Sequence, residues 1–371
     1  MRRWRFRLID TGFFRDGTPF AFGETGSLHQ NTTFPPFIST FQGAIRTSLA
    51  RFQGWEVKHG QQKSLVEMWD QQVLGDGTMT GQLTFRGPYL EWEGERLYPL
   101  PRTLLFEKKK DLFEQVELQP VGWLVPGEEV ESDLGKKRFL KPTAAKGKLL
   151  DGWVTAQGLE KVLQQREPDS AELFWPDFLW REEKRVGIRR DLRTHQAVDG
   201  HLYTSSHIRP HAKLRISVDV EGVPSDWNVP TCFTVPLGGE GRFAEVTVTE
   251  EQPDTFAFPY FPPDEEEIRF TVTLLTPMLI TDRDQLKKGP LSDLDCLSAS
   301  LGRYVPLGGW NLRKKRPRPL QPMCPAGSTW YYIADRSWIP ILKSLHGACV
   351  GKKTSFGFGQ ICIGMWEERN E

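Results

Sequence analysis

The chain has 371 residues, of which 38% are hydrophobic, and its 48 Lys and Arg balance 48 Asp and Glu to a net charge of +0. This length favours two domains, and 13 Trp with that apolar content support sizeable cores, which excludes a disordered protein. The neutral charge excludes a uniformly basic nucleic-acid binder, although it is compatible with a local basic channel.

The five Cys residues are scattered and form no CxxC pair. An odd, scattered set is typical of a reducing compartment rather than of a disulfide framework. The basic start of the chain lacks the apolar stretch of a secretion signal, and no run of about 18 apolar residues occurs. We therefore predict a cytoplasmic protein with no membrane span.

The N-terminal part of the chain predicts a strand followed by a helix. Apolar residues from Trp4 to Leu8 alternate with arginines, which is the period of a half-buried strand. Apolar residues at helical spacing then predict a helix over residues 40–52. Ser39 and Gln42 form a capping-box signature at its start.

The middle of the chain is charged, and the later part is rich in strand patterns. Residues 107–149 carry dense charge and are interpreted as solvated insertion loops. Alternating apolar residues over 213–222 and 267–277 predict half-buried strands, and 357–366 predicts a closing strand. Strands outnumber helices, which favours an α+β fold with antiparallel sheets.

The segment GACVGKKTSFGFGQICIG, residues 347–364, has the composition of a phosphate-binding loop. It is one residue short of the Walker A spacing and lacks the G-x-G-x-x-G spacing, so we predict no bound nucleotide and no cofactor. Two interpretations stay equally open. In one, the backbone with Lys352 and Lys353 follows RNA phosphates while Phe356 and Phe358 stack on bases. In the other, the segment is a tight turn with both Phe rings in the core.

The histidines offer weaker signals. His195, His201, His207 and His211 share one window, but their spacing fits no common zinc-ligand pattern, so we predict no metal site. A general base at His29 would suit a metal-independent ribonuclease, although an ordinary loop histidine is the favoured interpretation.

Two basic clusters lie over residues 181–193 and 313–318. Each is compatible with phosphate contacts or with a solvated surface. Together with the lysine pair of the glycine-rich segment they favour contact with RNA.

Several pieces of sequence occur in a fixed order across nearly the whole chain. They are FFRDGTPF, FPPFISTFQGAIRTSL, RVGIRRDLRTHQAVDGHLYTSSHIRP, VPLGGEGRFAEV, VPLGGWNL with PAGSTWYY, and GKKTSFGFGQICIG. In this order they resemble the Cmr-type RAMP proteins of type III-B CRISPR effector complexes, and among these the branch formed by the third subunit. Residues 54–80 and 107–150 are covered least by the resemblance.

The resemblance implies two ferredoxin-like (RRM-like) modules with antiparallel sheets and long insertion loops, at residues 1–210 and 211–371. It implies a non-catalytic subunit that holds the 5′ repeat-derived tag of the crRNA. Its protein partners would be the large polymerase/cyclase-like subunit and the first backbone RAMP subunit. A metal-independent RAMP endoribonuclease that processes repeat RNA, and a scaffold without RNA contact, remain the alternatives.

A single-stranded tag is held through its phosphates and its splayed bases, so basic and small polar residues are the expected contacts. Arg46 follows Ile45 on the predicted helix and is expected to point away from the core. His207 and Ser355 are the candidates for base-edge contacts. The expected RNA-binding residues are Ser39, Arg46, Arg185, Arg189, Arg190, His207, Lys352, Lys353, Thr354, Ser355, Gly357 and Gly359.

Overall fold

The structure is a computed structural model that describes residues 1–15, 29–30, 32–55, 68–110, 116–132, 134–191, 193–194, 196–311 and 316–367. Its strands are β1 (Arg2–Leu8), β2 (His29–Gln30), β3 (Thr84–Trp92), β4 (Glu95–Pro99), β5 (Leu104–Lys110), β6 (Val116–Ser132), β7 (Gly135–Pro142), β8 (Trp153–Thr155), β9 (Leu173–Phe174), β10 (Trp180–Arg190), β11 (Ala197–Pro210), β12 (Leu214–Glu221), β13 (Cys232–Pro236), β14 (Phe243–Glu250), β15 (Glu267–Leu274), β16 (Met278–Leu279), β17 (Ser298–Ser300), β18 (Val305–Leu307), β19 (Trp310–Asn311), β20 (Arg316–Pro317), β21 (Gln321–Cys324), β22 (Thr329–Asp335) and β23 (Ile361–Met365). Its helices are α1 (Ile38–Phe52), α2 (Gln71–Leu74), α3 (Ala156–Leu163), α4 (Pro176–Leu179), α5 (Arg283–Lys288) and α6 (Ile339–Leu345).

The chain forms two compact units, and each unit is assembled from three stretches of sequence. The first unit contains Met1–Gly94, Asp177–Gln252 and Pro306–Gln321, and the second contains Glu95–Pro176, Pro253–Val305 and Pro322–Glu371. The mixed α and β content with mostly antiparallel sheets is confirmed. The two ferredoxin-like modules, and the division between residues 210 and 211, stay predictions.

The main sheet of the first unit has the strand order β13-β14-β1-β12-β3, and its neighbours are antiparallel. The predicted N-terminal strand is confirmed as β1, whose Trp4 and Phe6 side chains are fully buried. The Phe6 ring meets the edge of the Phe41 ring on α1, with 5.0 Å between ring centroids. Helix α1 therefore covers the apolar face of this sheet, which is the packing that its apolar stripe predicts.

Helix α1 starts two residues earlier than predicted and ends at the predicted residue, Phe52. Its N-cap residue is Phe37, and no side chain hydrogen-bonds to the first turn as a cap. The predicted capping box of Ser39 and Gln42 is therefore wrong, because Ser39 already lies inside the helix and the Gln42 side chain is buried.

Strands β10 and β11 form a long antiparallel hairpin in the first unit, and β2 pairs with β11 in parallel. Two apolar side chains of β10 stand in solvent, with 68% of Val186 and 46% of Ile188 exposed. The basic cluster over residues 181–193 thus lies on β10 and the turn after it, on an element that is largely open to solvent.

The central sheet of the second unit has the strand order β17-β22-β15-β23. Phe270, Val272, Trp330, Tyr332 and Ile363 lie in its core. The predicted strand over 267–277 is confirmed as β15, and the predicted closing strand is confirmed as β23.

Strands β5, β6 and β7 form a three-stranded antiparallel sheet in the second unit. Phe106, Trp123 and Val125 are buried there, while Lys108 and Glu129 are exposed. The prediction of solvated insertion loops over this region is therefore wrong. Pairing between the strands places the apolar side chains on the buried side of the sheet and the charged side chains in solvent. The local density of charge in the sequence does not indicate such pairing.

Candidate functional site

The glycine-rich segment of the second unit is a turn with left-handed backbone at several positions. Lys353 has φ 59°, a single 3-10 turn covers Thr354–Phe356, and Gly357 and Gly359 follow with φ 90° and 76°. Left-handed backbone is uncommon for a residue with a side chain, and such residues cluster at functional sites. Lys352 and Lys353 are exposed on this turn.

Gly359 has no room for a side chain. A Cβ atom at this position would lie 2.1 Å from the carbonyl oxygen of Val350. The Gly359 N–H donates to the Pro277 carbonyl, and its own carbonyl accepts from the Val350 N–H, both at 2.9 Å. The close backbone approach therefore holds both ends of the turn in place.

Most of the glycine-rich segment after the lysines faces inward. Gly357 and Gly359 are buried, Phe358 is only 4% exposed, and Thr354 and Ser355 are half-buried. The turn interpretation expects both Phe rings in the core: Phe358 lies there, whereas Phe356 is only half-buried. RNA contact by the two glycines stays a prediction, and their burial argues against it.

Lys352 has an acidic neighbour in the second unit. The pKa of the Asp282 carboxyl lies below its usual range, first because the Gln285 N–H donates to it at 2.9 Å, and to a smaller extent because of the Lys352 charge. The Asp282 carboxylate therefore compensates part of the Lys352 charge.

Of the two candidate residues on α1, one is exposed and one is buried. Ser39 lies at the surface, whereas Arg46 is only 5% exposed and its guanidinium lies 5.5 Å from the centroid of the Phe85 ring. Burial lowers the pKa of Arg46 to about 10. The expectation that Arg46 points away from the core is wrong, because the helix packs on the sheet over a face wide enough to include the residue after Ile45.

The candidate RNA-binding residues on the β10–β11 hairpin also differ in their exposure to solvent. Arg190 is exposed, and the side chain of Arg189 lies outside the described residues. His207 is 2% exposed, stacks on the Phe13 ring at 5.2 Å between centroids, and places Nδ1 3.2 Å from Thr11 Oγ1. Burial lowers the pKa of His207, and the nearby cations add to this effect. Its base-edge contact stays a prediction, which its burial argues against.

Arg185 belongs to a group of five charged residues that we name the Asp10 cluster: Asp10, Glu183, Arg185, Arg209 and Arg242. Arg209 Nη1 donates to Asp10 Oδ1 at 3.0 Å, while Arg185 Nη2 and Arg242 Nη1 donate to Oδ2 at 3.2 and 3.1 Å. Glu183 accepts from Arg185 Nε at 2.8 Å and from Arg209 Nε at 2.6 Å. Burial alone would raise the pKa of Asp10, but the hydrogen bonds from Arg185 and Arg209 outweigh it and hold the pKa below its usual range.

Two glycines bring Arg242 to the Asp10 cluster. Gly238 has φ 78°, and a Cβ atom there would lie 2.5 Å from the Phe13 carbonyl oxygen. Gly239 donates its N–H to that same oxygen at 2.8 Å. The G-G-E-x-R piece of the sequence is therefore a tight turn that carries its arginine to the end of β1. Asp10, Arg209 and Arg242 were absent from the predicted site, and the arginine of this motif is the signal that points to one of them.

A metal ion has no assembled site within the described ranges. There, no group of three or more His, Cys, Asp or Glu residues is placed to hold a metal ion. His195 and the side chains of His29 and His201 lie outside the described residues, so the ribonuclease prediction for His29 is not tested. Among the described helices, none is long and apolar enough to cross a membrane.

A family model of CRISPR-associated proteins, Cas_Cmr3, matches residues 4–366. The chain belongs to this family. It is a Cmr subunit of the type III-B CRISPR system, and the resemblance in the order of its sequence pieces is confirmed.

Solved structures support the same fold for this Cmr subunit. A chain in the cryo-EM structure of the type III-B Cmr-beta bound to cognate target RNA matches with 17% identity and a TM-score of 0.52, over 92% of this chain and 89% of that chain. A second chain, from the Cmr-beta structure bound to cognate target RNA and AMPPnP in state 1, matches with 17% identity and a TM-score of 0.52, over 93% and 89%. No curated protein matches the sequence.

Proposed function

We propose that this Cmr subunit is a non-catalytic RNA-binding component of the type III-B effector complex that holds the 5′ repeat-derived tag of the crRNA. In this proposal it docks on the large polymerase/cyclase-like subunit and contacts the first backbone RAMP subunit. Membership of the Cas_Cmr3 family supports a place in that complex.

The exposed lysine pair on the constrained turn of the second unit carries the proposal. Lys353 has a left-handed backbone although it is not a glycine, and the turn that bears it is held by backbone hydrogen bonds on both sides of Gly359. Because the backbone is already ordered, less conformational entropy is lost when the lysines meet a phosphate chain. Lysine ammonium groups at the surface then gain from the release of counterions on binding RNA.

The double variant Lys352→Ala/Lys353→Ala tests this proposal. We expect a loss of affinity for tag RNA on the order of tenfold and a salt slope shallower by about 1.4, since each phosphate contact of a single strand contributes about 0.7. Fluorescence anisotropy with labelled tag RNA over a series of salt concentrations measures both quantities.

A matched control is Lys136→Ala/Lys141→Ala, which removes the same charge from two exposed lysines on strand β7 of the second unit. This control should bind like the wild type. If both double variants lose the same affinity, the effect is one of net charge and the turn has no special part in binding.

The absence of catalysis in the proposal is tested with the pure chain and repeat RNA in EDTA. We expect the RNA to stay intact. Specific cleavage that disappears in His29→Ala would instead support the metal-independent endoribonuclease.

A further inference from the structure

The Asp10 cluster holds more positive than negative charge. Three guanidinium groups, from Arg185, Arg209 and Arg242, meet two carboxylates, from Asp10 and Glu183. The cluster is reachable from solvent, since 44% of the Asp10 side chain and 48% of the Arg209 side chain are exposed. One net positive charge is therefore left in a group that an incoming anion can reach.

The hydrogen bonds are unevenly shared among the three arginines. Glu183 accepts from Arg185 and Arg209, so these two stay anchored without Asp10. Arg242 donates through Nη1 to Asp10, and its buried Nε has no hydrogen-bond partner among the described residues. A buried donor without a partner costs free energy, so the arrangement around Arg242 is incompletely satisfied as it stands.

Asp10 occupies the point where the three arginines converge. Its Oδ1 accepts from Arg209, and its Oδ2 accepts from both Arg185 and Arg242. A phosphodiester also carries one negative charge on two oxygens, and the planar fork of arginine pairs with both kinds of anion. Half-exposed ion pairs add little to the stability of a fold. The gain in stability therefore does not explain why three arginines gather on one such carboxylate.

We propose that the Asp10 cluster is a phosphodiester-binding site in which Asp10 holds the place of the phosphate until RNA arrives. On binding, the RNA phosphate accepts from Arg185, Arg209 and Arg242, and the Asp10 carboxylate turns away into solvent. Glu183 keeps Arg185 and Arg209 in position throughout. The inference rests on and deepens the proposed RNA-binding function, and it names a site in the first unit, whereas the lysine turn belongs to the second unit.

This arrangement makes the effect of removing Asp10 opposite to that of removing a structural ion pair. In Asp10→Asn the competing charge is gone, so we expect oligouridine to bind about three- to tenfold more tightly, with a salt slope steeper by about 0.7. Oligouridine is a suitable probe because phosphate contacts are independent of base sequence. In Arg242→Gln, by contrast, we expect weaker binding, and Asp10→Asn should give no gain in that background.

The matched control is Glu245→Gln, which changes the net charge by the same amount. Glu245 pairs with Arg7 in the first unit and takes no part in the Asp10 cluster. Oligouridine affinity equal in Asp10→Asn and Glu245→Gln would show an effect of overall charge alone. Weaker binding by Asp10→Asn would show that Asp10 only positions the arginines. Either result overturns the proposal.

Inorganic phosphate gives a second readout that does not need RNA binding by the rest of the chain. A ligand that binds only the folded protein raises Tm with its concentration. We expect phosphate, at ionic strength matched with chloride, to raise Tm more in Asp10→Asn than in the wild type, and not in Arg242→Gln. Equal shifts in all three proteins would overturn the site even if the lysine turn binds tag RNA. A larger shift in Asp10→Asn, together with unchanged tag-RNA affinity in Lys352→Ala/Lys353→Ala, would keep the site and refute the lysine turn.

Discussion

The Asp10 cluster of the first unit and the lysine turn of the second unit are both cationic, but they hold their cations differently. In the Asp10 cluster, carboxylates aim the guanidinium groups at one point. In the turn, the backbone itself sets the position of Lys352 and Lys353, and both residues are exposed. The first arrangement can favour a particular anion geometry, whereas the second supplies charge to any phosphate chain that passes it.

Glycines serve the same purpose in both regions. Gly238 lets its turn approach the Phe13 carbonyl, and Gly359 lets the lysine turn approach the Val350 carbonyl. In each case a side chain would collide with backbone, which cannot move aside as a flexible side chain can. The glycines thus act through the fold and do not need to touch a ligand.

The largest expected effect is a loss of stability caused by a substitution that distorts the backbone of the lysine turn. Gly359→Ala should lower the free energy of unfolding by about 3 kcal/mol, because the new Cβ meets the Val350 carbonyl in a left-handed backbone. Urea unfolding followed by tryptophan fluorescence measures this loss. Gly347→Ala is the control, since Gly347 also has a positive φ, of 81°, but open space around it. It should lose only about 1 kcal/mol, and equal losses would contradict the collision.

A smaller effect concerns the pH dependence of the first unit. Burial, with Arg185 and Arg242 nearby, lowers the pKa of His207, so the neutral ring is favoured in the folded state. Its stabilisation is present above the unfolded pKa of about 6.5 and is lost as the pH falls through the lower folded pKa. The free energy of unfolding should therefore fall more between about pH 7.5 and 5.5 in the wild type than in His207→Asn. An equal pH dependence in His207→Asn and the wild type would refute the role of His207.

The smallest expected effect comes from comparing substitutions of the buried Arg46 and of Arg185 in the Asp10 cluster. Arg46→Met should leave RNA affinity unchanged and alter the free energy of unfolding by no more than about 1 kcal/mol, because a methionine can fill the space over Phe85. Arg185→Met should lose affinity several-fold in the same anisotropy assay. A folded Arg46→Met protein that binds RNA poorly would restore Arg46 to the interface that the sequence predicts.

The local period of apolar residues predicted the right element wherever that period alone decides which side chains are buried. The alternation in β1 and β15 and the apolar stripe of α1 led to the right elements, because side-chain direction within an element follows from its period. The same reasoning failed at Arg46, since the width of the buried face of a helix depends on what packs against it. It failed also for β5 to β7, where pairing between strands decided that a charged segment forms a sheet.

By itself, the sequence determined the main strands, the first helix and, through the order of its motifs, the family. It also limited the glycine-rich segment to a turn or an RNA-facing loop. Only the tertiary structure decided which charges meet: Asp10 and Arg209 are 199 residues apart, and Asp10 and Arg242 are 232 apart. Such meetings depend on strand register and on tight glycine turns acting together over long distances, and no local pattern records them.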